Sequence, residues 1–272
     1  MEPRIKELVY WINERESMRI NRTSTIPIVP YSHDPIMANT RFTNVMREDD
    51  KVTKWLKEHW RDPHARSPNL PTAMVLARMV NYIPSLEAIG FPEVWKPEII
   101  ISILKNRAFT GYKIWSSAYM ITTCGKQMEK EHYVVNHVCG KVMKINSKVR
   151  EATSLEEAFR ILRTIDGLGS FLAAQVIADL KHVRNLPLAE APDWHSWSAP
   201  GPGSLKGLTA FFGYAVTPSN YDSAIIKAWQ LIQPELPEYL QDLSMQDFQN
   251  CFCEFSKFLR VKSGGKARNH YP

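Results

Sequence analysis

The stretch from Leu162 to Leu180 places a Gly167-Leu168-Gly169 turn between two apolar segments, and a carboxylate, Asp193, follows it. Glycine reaches left-handed backbone angles at little cost, so this turn lets the chain leave one helix and enter another. The spacing predicts a helix-hairpin-helix over about 155–180. The amides of Gly169, Ser170 and Phe171 would then open the second helix as unpaired donors, where backbone dipoles favour a phosphate oxygen. The same residues also suit a plain αα-hairpin closed by glycine. Asp193-Trp194-His195-Ser196-Trp197 leads to Gly201-Pro202-Gly203-Ser204-Leu205-Lys206-Gly207-Leu208. Asp193 beside two tryptophans suits proton transfer, the facing of a developing cation, or the capping of the next turn. Gly201 and Gly203 allow amides to approach an anion, Ser204 can cap the following helix, and Lys206 adds positive charge; a turn rich in Pro and Gly is equally a structural device.

A third polar cluster runs from Arg41 to Trp55 and leads into an amphipathic helix. On a helix, Asn44, Arg47 and Lys51 share one face, with Glu48 a turn from Asn44. The forks of Arg41 and Arg47 match phosphate oxygens, although a solvated face of i,i+4 pairs explains the same pattern.

The elements that must carry these groups are helical. Apolar residues recur at helical spacing in Ile5 to Arg15, Asp50 to Trp60, Thr72 to Tyr82, Lys96 to Asn106, Trp115 to Lys126, Tyr133 to Asn146, Tyr221 to Ile232 and Ser244 to Arg260. Ser154 and Ser244, each followed by acids, signal helix starts. An all-α protein is expected, with Pro- and Gly-rich connections at Ile26 to Pro35, Arg61 to Pro71 and Leu186 to Gly207, and a basic segment over 255–272. The last connection is too long for a plain linker, and long loops often carry function.

With 44% hydrophobic and 23% charged residues in 272, the chain can build one ample core or two helical lobes. A net charge of +6 favours a polyanionic partner. No apolar run reaches membrane-spanning length, and the start lacks a signal-peptide pattern, so an intracellular protein is expected. Cys124, Cys139, Cys251 and Cys253 form no C-x-x-C pair, which argues against zinc or an iron-sulfur cluster and for reduced thiols.

The hairpin with a downstream Asp resembles the helix-hairpin-helix DNA glycosylase superfamily, whose members draw a nucleotide from the duplex into a cleft between two helical lobes. Phe171 stands where lyase-type members carry a nucleophilic Lys, and the cysteine motif of cluster-bearing members is missing. A closer resemblance is to the helical domain of 5-hydroxymethyluracil DNA kinases and its stand-alone relatives, the α-glutamyl/putrescinyl thymine pyrophosphorylases or amino acid:DNA transferases of bacteriophages. Four blocks carry it: Arg41 to Asp50; Gly167 to Gln175 with Asp179; Asp193-Trp194 through Gly201 to Leu208; and Cys253 to Arg260. Lys206 stands where Arg is more usual. The chain length leaves no room for an added kinase domain, which favours a transferase.

The resemblance implies one two-lobed helical domain over 1–272, with the active site in the interlobe cleft. It implies a phage enzyme of the bacterial host cytoplasm that replaces the pyrophosphate of pyrophosphorylated 5-hydroxymethyluracil in double-stranded DNA with an amino acid or polyamine. A companion kinase would supply the substrate; no cofactor is expected, although a divalent cation can assist departure of pyrophosphate. Asp193 would stabilise positive charge or deprotonate the amine, together with Arg47 and Glu48. Arg41, Arg47, Lys206 and the amides of Gly201 to Ser204 would hold pyrophosphate, with Asn44 in the same substrate set. Glu48 or Asp49 would bind the incoming ammonium, and Trp194 or Trp197 would stack on the base. Gly167, Gly169, Ser170, Lys257, Arg260, Lys262 and Arg268 would grip the DNA backbone. A base-excision glycosylase, a non-catalytic DNA-binding module and a DNA kinase are the alternatives, the last lacking a Gly-x-x-x-x-Gly-Lys-Ser/Thr sequence.

Overall fold

A computed structural model describes residues 2–27 and 29–266. Among these residues the regular elements are all helical. The chain divides into two compact units: residues 1–50 with 195–272, and residues 51–194.

The first unit is built on Ile5–Thr23, Pro202–Phe212, Tyr221–Ile232 and Met245–Lys262. Their apolar stripes close on one core that includes Trp11, Phe42, Phe211, Tyr221, Phe248, Phe252 and Phe255. Two of these helices approach with almost no side chain between them. A Cβ on Gly207 would lie 2.2 Å from the carbonyl oxygen of Phe252, and one on Gly203 would lie 3.1 Å from the Cys253 sulfur. Small residues four apart put the bare face of Pro202–Phe212 against Met245–Lys262. Ser244 starts the second of these helices by accepting the Asp247 amide at 3.2 Å.

The second unit surrounds Leu70–Val80, a helix buried along its whole length. An all-round apolar helix belongs at a centre, and Ser170–Leu180 and the helical run 130–151 pack on it. Its one charge, Arg78, is matched: its guanidinium forks onto the Asp179 carboxylate, 2.6 Å from Nε to Oδ2, and reaches Thr53 Oγ1 at 2.9 Å. An unmatched charge at this depth would cost several kcal/mol, so the pair fixes how the two helices meet.

Several sequence expectations change. Trp115 to Lys126 is an irregular connection and not a helix, lying between Pro97–Phe109 and Lys130–His132. Its apolar residues match helical spacing, but Gly111 and Gly125, at φ +78°, bracket it. Arg41 to Met46 is not helical either; only Arg47–Asp49 makes a single 3₁₀ turn, so Asn44, Arg47 and Lys51 do not form a helical face. In the 186–207 connection, Pro187–Glu190 is a 3₁₀ turn and the helix Pro202–Phe212 begins inside it. The four cysteines are all free thiols, with Cys139 and Cys251 buried. No helix among the described residues is long and apolar enough to cross a membrane.

Candidate functional site

The expected hairpin forms. Leu155–Arg163 starts at Ser154, whose hydroxyl accepts the Glu157 amide at 3.1 Å while Glu157 Oε2 accepts the Thr153 amide at 2.8 Å. Arg163 donates to the Leu168 carbonyl at 2.7 Å across the turn, and Ser170–Leu180 follows. Gly167 sits at φ +102°, and a Cβ there would lie 2.6 Å from the Tyr133 hydroxyl. Gly169 has an ordinary φ and open space around it, and is the residue before the second helix. The hairpin thus presents an exposed helix start at Gly169, Ser170 and Phe171.

Asp193 lies in the same unit, half-buried, and points back at the hairpin. Its Oδ1 accepts the Leu155 amide at 2.8 Å and its Oδ2 accepts the Glu156 amide at 2.9 Å. It therefore caps the first hairpin helix from a distance of 37 residues and not the turn that follows it. Both oxygens are held, and each keeps a further lone pair. Trp194 has Lys181 Nζ at 4.6 Å over its ring and the His182 ring edge-on at 5.2 Å, so at least one face is covered. Lys181 is itself buried, a feature that no periodicity signals.

Beside the turn, Asp166 gathers positive charge: Lys126 at 3.0 Å, His137 at 2.9 Å and Lys141 at 3.6 Å. The hydrogen bonds from Lys126 and then His137 pull its carboxyl down to about 2.

Two of the four sequence blocks, Arg41 to Asp50 and Cys253 to Arg260, and the Gly201 to Leu208 part of a third lie in the first unit. Asn44 is the staple of its loop: its Nδ2 donates to the Asp49 carbonyl at 2.9 Å and to Asp50 Oδ1 at 3.2 Å, and its Oδ1 accepts from Arg15. Arg15 also donates to the Thr43 carbonyl at 2.9 Å. Arg19 Nε lies 3.0 Å from both oxygens of the fully buried Glu16 and 3.2 Å from Asp49, and the bonds to Glu16 raise its proton affinity. Arg47 is tied through its backbone amide to Asp247 at 3.0 Å. From Met245–Lys262, Asn250 donates to Thr43 Oγ1 at 2.9 Å and Glu254 accepts the Thr43 amide at 3.1 Å. The helix start at Gly201 lies against the same helix, Met245–Lys262, with Gln249 Nε2 3.7 Å from a Cβ built at Gly201. This is a dense network of arginines and carboxylates on a loop, fixed by amides and side-chain amides rather than by regular structure. Arg15, Glu16, Arg19 and Asp247 were not legible as members, because they are far in sequence and sit in otherwise amphipathic helices.

One expected role changes, and several expected site residues have partners of their own. Ser204 is fully buried and is not the residue that caps the helix; Gly201 holds that position, and Ser204 Oγ accepts the Gly201 amide at 3.1 Å and returns a bond to its carbonyl at 3.0 Å. Gly203 packs closely on Cys253. Asp49 is engaged by Arg19. Lys257 is paired with Glu254 at 2.7 Å, and Lys262 with Glu7 at 2.6 Å, the latter lowering the Glu7 carboxyl. Arg41, Lys206 and Arg260 are exposed, Glu48 is half-buried, and Arg268 lies outside the described residues.

The profile of the family described as 5-hmdU DNA kinase, helical domain, matches residues 2–267. The chain belongs to this family. A curated relative, the 5-hmdU DNA kinase of Bacillus phage SP10, is 22% identical over 282 residues, covering 92% of this chain. The chain spans only 44% of the length of that relative. No solved structure matches the chain. Within the family's span lie both the hairpin that Asp193 caps and the arginine–carboxylate network around Asn44.

Proposed function

We propose that this chain is a DNA-modifying transferase that acts on pyrophosphorylated 5-hydroxymethyluracil in DNA. The bond from the exocyclic methylene to the pyrophosphate oxygen breaks, a bond from that carbon to an amine nitrogen forms, and the nitrogen loses one proton. Pyrophosphate leaves with the bonding pair. The observation that carries the reading is membership, across nearly the whole chain, of a family named for 5-hmdU in DNA.

The site chemistry is consistent with it. Loss of pyrophosphate leaves positive character on the methylene, and a fixed carboxylate facing that charge lowers the barrier without having to reorganise. Asp193, with both oxygens held by backbone amides, suits this electrostatic role better than that of a mobile base. The exposed cations Arg41 and Lys206, with Arg47, are assigned to the leaving pyrophosphate. Glu48 or Asp49 is assigned to the incoming ammonium. The exposed hairpin start is assigned to a DNA phosphate.

A second reading is favoured by the relative's name: phosphorylation of 5-hmdU in DNA. One experiment separates the two. The protein is incubated with DNA bearing either 5-hydroxymethyluracil and ATP, or its pyrophosphorylated form and a panel of amino acids and polyamines, and the nucleosides are identified by mass spectrometry. An amine-substituted thymidine supports the transferase and names the donor. Phosphorylated 5-hydroxymethyluridine makes the chain a kinase, and free base with abasic DNA makes it a glycosylase.

A further inference from the structure

The irregular connection of residues 110–128 is the most exposed apolar segment of the second unit. It contains Tyr112, Trp115, Tyr119, Met120 and Met128, the lysines Lys113 and Lys126, and no Asp or Glu. A loop of this length without regular structure is uncommon in a compact unit unless it has work to do. It is anchored to the hairpin at two points. Tyr119 donates to Gln175 at 2.9 Å and meets the Phe171 ring edge-on at 4.9 Å, both partners lying on the first turns of the second hairpin helix. Further along, Cys124 accepts from the Tyr133 hydroxyl at 3.2 Å, and Lys126 binds Asp166 in the hairpin turn at 3.0 Å.

Between those anchors Met120 is 94% exposed, and Phe171, the ring that Tyr119 meets, is 53% exposed. A thioether held out in water by a doubly tethered loop gains nothing in the isolated protein. Its surroundings say what it meets. Arg107 lies 5.3 Å over Tyr112, Lys113 5.3 Å over Tyr82 and Lys130 4.4 Å over Trp115, so aromatic rings and cations alternate along this face. The nearby acids, Asp166 and Glu129, are each paired with lysine. An apolar tip on a cationic, aromatic-laced surface, on a loop tied to the second hairpin helix through Tyr119, is complementary to a duplex: cations to phosphates, the tip to the base stack. A lipid surface would satisfy the tip and the cations but would give the exposed hairpin start at Gly169 nothing to bind.

We propose that residues 110–128 form a DNA-contacting wedge, and that Met120, on the loop that Tyr119 ties to Phe171, enters the base stack beside the target nucleotide. Methionine is suited to this, being unbranched, flexible and favourable against aromatic faces. The inserted side chain takes up the stacking that an extruded base gives up. The proposal rests on the reading of this chain as a protein that acts on a base within DNA.

The test uses the full chain, an unmodified duplex with one 2-aminopurine, whose fluorescence rises on unstacking, and the variant Met120→Ser. Because Met120 contacts nothing that holds the fold, the variant is expected to melt with the wild type. Wild-type protein is expected to raise the fluorescence, and Met120→Ser to lose most of that rise, by at least about threefold, while its affinity for the duplex changes by less than about threefold. An equal rise in both proteins, or binding by wild type without any rise, overturns the wedge and leaves DNA recognition standing. Failure of the wild type to bind duplex at low salt overturns the DNA reading itself, and co-sedimentation with anionic phosphatidylserine vesicles in that case makes the loop a membrane contact.

Discussion

Gly167-Leu168-Gly169 and Gly201-Pro202-Gly203 are the same pattern in sequence, each lying at the start of a helix, and they do opposite things. In the hairpin, Gly167 is needed for its backbone angle, φ +102°, and for the room its missing Cβ leaves for Tyr133 and Val138. Gly169 then stands in open space, and the helix start is exposed to a ligand. At the other turn both φ demands and openness vanish. The Gly201 amide is occupied by Ser204, and Gly203 with Gly207 exists so that two helices can touch backbone to backbone. Glycine signals either a conformation or a close approach, and only the neighbours decide which.

That contrast breaks first at Gly207. Gly207→Ala drives a methyl into the Phe252 carbonyl, which is backbone and cannot rotate away. A loss of about 3 kcal/mol or more is expected, a melting temperature roughly 6–12 °C lower for a chain of this size. Thermal unfolding that matches wild type would show that the helices are not in such contact. Next comes Gly167→Ala, where the left-handed φ and the 2.6 Å approach to Tyr133 together are expected to cost about 2 kcal/mol. Gly169→Ala, two residues away, is expected to stay within about 0.5 kcal/mol of wild type in the same denaturant titration. If the two hairpin variants are equally destabilised, the division of labour assigned to this turn is wrong.

What the sequence reveals follows from how each feature is encoded. The long amphipathic helices and the hairpin are written locally, in apolar spacing and in caps such as Ser154 and Ser244, and they appear where the pattern puts them. The 110–128 connection mimics that pattern because an exposed apolar surface and a buried one use the same residues. Asp193 was visible as a special carboxylate, but its partners, the Leu155 and Glu156 amides, are backbone atoms and leave no mark in the residue types. The Asn44 network was half visible: its loop stands out, whereas Arg15, Arg19 and Asp247 join it only through tertiary folding.

Asp193→Ala sharpens the contrast from the side of helix caps. It leaves two amides of the first hairpin helix without acceptors, so a loss of about 1–2 kcal/mol is expected from chemical denaturation. Asp193→Asn keeps one acceptor and should lose less. Should Asp193→Asn abolish turnover while melting close to wild type, the carboxylate charge acts in the chemistry beyond its capping; turnover and stability that fall together would reduce Asp193 to a cap.

The smallest expected effect belongs to Asp166, the acid at the open turn. Its carboxyl is held at about 2 by hydrogen bonds from Lys126 and His137, below the ordinary carboxylate value. A depressed carboxyl stabilises the folded state at pH above its ordinary value, and that contribution fades as the pH falls from about 4 towards 2. Asp166→Asn therefore flattens the acid limb of a melting-temperature profile in that window and leaves the neutral region nearly unchanged, because the group is solvent-exposed and its pairs are screened. Carbon-13 titration of the carboxyl gives the direct reading: a midpoint near 2 that rises in Lys126→Met. A midpoint at the ordinary aspartate value in the wild type would mean that Lys126 and His137 do not engage Asp166. The hairpin turn would then present the Lys126 ammonium to solvent, available to a phosphate.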